Sequence, residues 1–193
     1  MGKGRLEAFS DGVLAIIITI MVLELKVPHG ETLEALLPLL PVCLSYVLSF
    51  MYVGIYWNNH HHMLHACQQV SGAMLWANLH LLFWLSLIPF VTGWMGANAF
   101  AAAPTALYGV VLLMAAIAYV VLRTIMGAQG PDSLLHTAVG RDLKGKMSLV
   151  LYVIAIPAAF LSQWIAGGIY VLVALIWLVP DRRIEHALSN QKT

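Results

Sequence analysis

Long apolar runs separated by short polar stretches set the plan of this chain. Runs near 20 residues, the length a helix needs to cross roughly 30 Å of hydrocarbon, fall at approximately 8–27, 39–62, 71–95, 101–126, 146–162 and 166–180, the last two being short. They predict an all-α membrane protein with six transmembrane helices per chain, one domain over residues 1–193. Strands are excluded because an open sheet cannot satisfy its backbone in lipid and the period-2 alternation of a barrel is absent. Pro89 and Pro157 are candidate interruptions. The only sizeable polar stretch, Gly127 to Lys146, contains Gly130-Pro131-Asp132, a turn expected to open a short helix.

Composition agrees with the pattern: 61% hydrophobic and 10% charged residues, with a mean hydropathy of +0.83, leave more apolar surface than a soluble core can hide. A net charge of +1 without a basic stripe gives nucleic acid no footprint. The placement of charge is more informative. Lys3, Arg5, Arg123, Arg141, Lys144, Lys146, Arg182, Arg183 and Lys192 fall on one side of a six-span topology and only Lys26 on the other, which orients both termini to the cytoplasm. Lys3 and Arg5 precede an apolar run as in a signal peptide, but the run ends in Glu24-Leu25-Lys26 without a small-residue cleavage site, so it is read as a retained span. Cys43 and Cys67 have no paired spacing, and no disulfide framework is expected.

The first span carries charged residues at its mouth, Arg5-Leu6-Glu7-Ala8-Phe9-Ser10-Asp11, before an almost wholly apolar middle. Charge drawn toward hydrocarbon costs on the order of 3 kcal/mol and marks a pathway or a structural lock. At about 100° per residue, Gly12, Ile16, Thr19, Ile20, Leu23 and Val27 share one sector, while Asp11 points elsewhere. If that sector lined a pore, its narrow rings would be branched aliphatic with Thr19 as the one polar ring, and such rings gate by dewetting. The same stripe is also compatible with helices packing against lipid or one another. Ser10 and Asp11 can equally cap the helix at its positive end, and Arg5 and Phe9 are spaced to lay the guanidinium stem along the ring.

His60, His61, His62 and His65 cluster at the end of span 2, and His61 and His65, four apart, share a helix face as a metal site requires. No Cys, Asp or Glu accompanies them at ligand spacing along the chain, so a metal site, a pH-sensitive element and polar interfacial packing stand as three readings, with no metal expected. Small residues such as Gly96 and Gly109 predict close helix approach.

Arg5-x-x-x-Phe9-Ser10-Asp11 at the start of the first span resembles the signature of the transmembrane protein 175 family, the lysosomal potassium channels. The continuation AIIITIMVLEL with Pro28, the stretch Tyr56-Trp57-Asn58-Asn59-His60-His61, and Asn78 with Pro89-Phe90 extend the resemblance, and its six-span plan covers the chain. The resemblance implies a potassium-permeable cation channel in the plasma (bacterial inner) membrane, a homotetramer with helix 1 of each subunit lining a central pore. It implies no carbonyl filter, and no TVGYG-like run occurs here. By position, Ile16 and Leu23 would form the constriction, with Thr19 between them and Ile20 contributing, giving modest preference for K+ over Na+. Arg5, Phe9, Ser10 and Asp11 would be structural, with Trp57, His60, His61 and Asn78 as their partners. The implied partners are lipid bilayer and monovalent cations, with no cofactor beyond the permeant K+.

Two other classes fit less well. A proton-coupled secondary transporter should show inverted repeats and broken helices, yet residues 1–97 and 98–193 share no visible similarity. An enzyme would need a nucleophile facing a base, which Ser10 and Asp11, adjacent on a helix, cannot provide.

Overall fold

The computed structural model describes residues 2–67, 69–128 and 143–178. Among these it contains seven α-helices: α1 (Lys3–Leu23), α2 (Leu40–Ala66), α3 (Gly72–Ser86), α4 (Ile88–Ala97), α5 (Ala102–Gly127), α6 (Leu143–Leu161) and α7 (Gln163–Leu178), with a 3-10 segment Leu33–Leu39 leading into α2. The Gly130-Pro131-Asp132 turn, Arg141, and Arg182, Arg183 and Lys192 lie outside the described residues.

Six apolar rods result, because α3 and α4 form one run of 26 residues, Gly72–Ala97, long and apolar enough to cross a membrane. The run is interrupted at Leu87, with Pro89 in the first turn of α4, where a missing N–H is tolerated. Pro157, by contrast, lies inside α6, which continues through it. Five rods are long enough to span, and α7 is a shorter apolar helix of 16 residues. Ser71 caps α3 by accepting from the Met74 amide at 3.2 Å, and Ser162 alone separates α6 from α7.

α5 packs on α3, α4, α6 and α7, while α1 packs on α2, α3 and α4. The core joining the helices is aromatic as well as aliphatic. Tyr52, Tyr108 and Tyr170 are fully buried, and their hydroxyls bind polar groups that hydrocarbon could not satisfy. Tyr52 Oη donates to the Tyr170 carbonyl at 2.6 Å, Tyr170 Oη donates to the Thr105 carbonyl at 3.1 Å, and Ser49 meets both Thr92 and Tyr108.

Close approach at two glycines makes this packing possible. A Cβ at Gly96 would lie 2.8 Å from Val42 Cα and against Ser45 Oγ, and one at Gly109 would press on the Tyr170 hydroxyl and lie 2.9 Å from its Cζ. Gly109→Ala must therefore move Tyr170 off the Thr105 carbonyl, and it should cost about 1–3 kcal/mol, the range for overpacking a tight core. Thermal melting of the purified variant in detergent checks this; an unchanged midpoint would show that α5 and α7 can separate freely.

Candidate functional site

α1 has two chemically distinct faces. Leu6, Ser10, Leu14, Ile17 and Met21, at helical spacing, are buried against α2, α3 and α4. On the opposite side Arg5, Phe9, Gly12, Ile16, Thr19, Ile20 and Leu23 are all exposed, Ile16 at 60% and Leu23 at 75%. The four residues expected to line a pore therefore share a stripe that the chain's own helices leave uncovered. Along it, the Thr19 hydroxyl donates to the Ala15 carbonyl at 2.9 Å. That back-bond consumes its proton and leaves oxygen lone pairs available on the open face.

The buried face is tied down by polar groups. Ser10 Oγ donates to the Leu6 carbonyl at 2.9 Å and accepts from Asn78 Nδ2 at 3.0 Å. Asn78 Oδ1 lies 2.7 Å from His60 Nε2. All three side chains are buried. Because the Ser10 proton is committed to Leu6, Asn78 must turn its amide nitrogen to Ser10 and its oxygen to His60. His60 Nε2 is then the donor. Its Nδ1 is buried with no hydrogen-bond partner among the described residues.

On the neighbouring face of α1, Asp11 Oδ1 accepts from Trp57 Nε1 at 3.0 Å. Glu7 Oε1 lies 3.2 Å from His61 Nδ1 and 3.7 Å from His65 Nε2. A step of four along α1 is matched by a step of four back along α2, the register of an antiparallel pair. Ser10, Asp11, Trp57, His60 and Asn78 are brought together by these contacts, and His61 meets Glu7 instead. Arg5 and Phe9 are not brought in: both lie on the uncovered stripe, and among the described residues Arg5 forms no ion pair, so Asp11 is held by the Trp57 indole rather than by a guanidinium.

Glu7 is the residue that spacing along the chain missed. No carboxylate accompanies His61 and His65 within α2 itself, but α1 delivers one from outside it. Glu7 lies four residues before Asp11 and so on the same face of α1, but only the packing of α1 on α2 brings that face to His61 and His65.

Residues 5–89 match the family model described as endosomal/lysosomal potassium channel TMEM175. A protein of Chryseobacterium sp. (strain P1-3), described as a potassium channel, is 57% identical over 191 residues, 98% of this chain and 100% of that protein. The human endosomal/lysosomal proton channel TMEM175 is 32% identical over 116 residues, 54% of this chain but 23% of that protein. The crystal structure of a lysosomal potassium-selective channel TMEM175 homolog from Chamaesiphon minutus superposes with a TM-score of 0.80 at 28% identity, covering 92% of this chain and 96% of that one. With apolar helices long enough to span a bilayer and relatives that are channels over the whole chain, this protein belongs to the TMEM175 family: it is a multi-pass membrane ion channel, not an enzyme.

Proposed function

We propose that the chain is one quarter of a potassium-permeable channel, a homotetramer in which α1 of each subunit lines a central pore. The observation that carries this reading is the uncovered stripe of α1, whose Ile16, Ile20 and Leu23 are 60%, 43% and 75% exposed while the opposite face is packed. An apolar stripe of this kind needs either lipid or copies of itself, and the four copies bring the Thr19 hydroxyls into one polar layer between two aliphatic rings. In this arrangement Ile16 and Leu23 set the width and exclude water when closed. The Thr19 oxygens, with their protons turned back to Ala15, offer lone pairs to a partly dehydrated cation. Neutral hydroxyls at one layer discriminate weakly, so the preference for K+ over Na+ is modest. No cofactor takes part, and K+ is the permeant ion.

The single six-span unit sits in the plasma membrane with both termini in the cytoplasm. Lys3 and Arg5 at the start of α1, Arg123 near the end of α5, and Lys144 and Lys146 at the start of α6 supply the positive residues on that side. Purified protein reconstituted in liposomes loaded with potassium should release it passively down its gradient, faster than it releases sodium under the same conditions. Accumulation against the gradient, coupled to protons, would replace this reading with a transporter.

A further inference from the structure

We infer that Glu7, His61 and His65 form a binding site for a zinc-class divalent transition metal, one per chain, joining the first turns of α1 to the last turns of α2. Glu7 Oε1 is 3.2 Å from His61 Nδ1 and 3.7 Å from His65 Nε2, and one ligand atom from each residue lies within 4.8 Å of the others. A tetrahedral ion with bonds of about 2.1 Å sets its ligand atoms about 3.4 Å apart. The two observed edges fall on either side of that value. Two imidazole nitrogens and one carboxylate oxygen are the donors that Zn2+, Co2+ and Ni2+ take, whereas Mg2+ and Ca2+ require oxygen sets.

The surroundings favour the site. Lys3 Nζ donates to the His65 carbonyl at 2.9 Å, so the two helix ends are already held together and little ordering is left for the ion to impose. His61 stacks on Trp57 at 6.1 Å and 26°, and Trp57 is in turn fixed by Asp11, which orients one ligand as an outer shell does. The side chains of Glu7, His61 and His65 are 23%, 38% and 54% exposed, so an ion can enter from solvent and water can complete the fourth position. A bound ion would resist separation of α1 from α2 at the end where α1 begins.

The test uses tag-free full-length protein in detergent near neutral pH, titrated with Co2+ and followed by its visible absorption, then displaced with Zn2+. Saturable tetrahedral Co2+ bands at one ion per chain are expected, together with a higher melting temperature in Zn2+. Glu7→Gln and His65→Ala should each weaken binding at least about tenfold, since even losing an outer-shell partner costs 10–100-fold, while His62→Ala should bind as the parent does. Absence of binding by the folded parent, or equal binding by His61→Ala/His65→Ala, would overturn the site. Absorption and melting report binding without flux, so either result leaves the pore reading to its own experiment.

Discussion

Ile16→Asn is expected to raise potassium flux through the reconstituted channel by about tenfold or more. A tenfold change corresponds to about 1.4 kcal/mol of barrier. The source of that energy is water. A ring of branched aliphatic side chains offers an entering ion no replacement for its hydration shell and expels the water that could accompany it. An amide side chain holds water at the same radius, because leaving it without a partner costs roughly 2 kcal/mol or more, so in the proposed tetramer the substituted ring stays wetted and an entering ion keeps part of its shell. Leu23→Ala should act in the same direction by widening the second ring, and both changes should narrow the difference between K+ and Na+. Ile17→Val serves as the control, because Ile17 is 3% exposed on the packed face. It should alter stability by about 1 kcal/mol and leave permeation as it was. Flux and selectivity unchanged in both Ile16→Asn and Leu23→Ala, in assembled protein, would remove α1 from the pore.

The division of α1 into two faces is legible in the order of its residues alone, because a helical period near 3.6 assigns each side chain to a sector. The sector holding Gly12, Ile16, Thr19, Ile20 and Leu23 is the one left exposed. Five spans are legible from length and hydropathy, and α7 as a short one. Contacts between helices are less so. The sequence places His61 and His65 on one face of α2 but says nothing of which residue on α1 arrives opposite them, and so it leaves Glu7 out. The 3-10 segment Leu33–Leu39, apolar and ending at Pro38 and Leu39, looks like loop to a reading that seeks helical period. Ser49, Thr92 and Tyr108 give no signal either. They come from α2, α4 and α5, and only packing reveals that each supplies what another lacks. The two prolines illustrate the limit from the other side. Both could end a helix, yet Pro89 sits in a first turn where its missing N–H is harmless, while Pro157 is carried inside α6, a choice that neighbouring helices make and local sequence does not.

Asn78→Leu, on α3 against the packed face of α1, should destabilise the protein by about 2–4 kcal/mol. Asn78 makes two interhelical hydrogen bonds, to Ser10 on α1 and to His60 on α2, each worth about 1–2 kcal/mol where water cannot compete. Leucine removes both at once. Ser10 keeps its bond to Leu6, but His60 is stranded, because its Nδ1 already has no hydrogen-bond partner among the described residues and its Nε2 then loses its own. The larger part of the cost therefore falls on the histidine. Ser10→Ala should cost about 1 kcal/mol, and combining it with Asn78→Leu should cost less than the sum, since the two changes delete the same bond. Melting in detergent and the assembled fraction by size exclusion measure both effects. An Asn78→Leu protein within about 0.5 kcal/mol of the parent would mean that packing alone seats α1. The contrast with Ile16→Asn is the informative part. Ser10 and Ile16 lie on opposite faces of one helix, so the first substitution should change how much channel assembles with the flux per channel intact. The second should do the reverse.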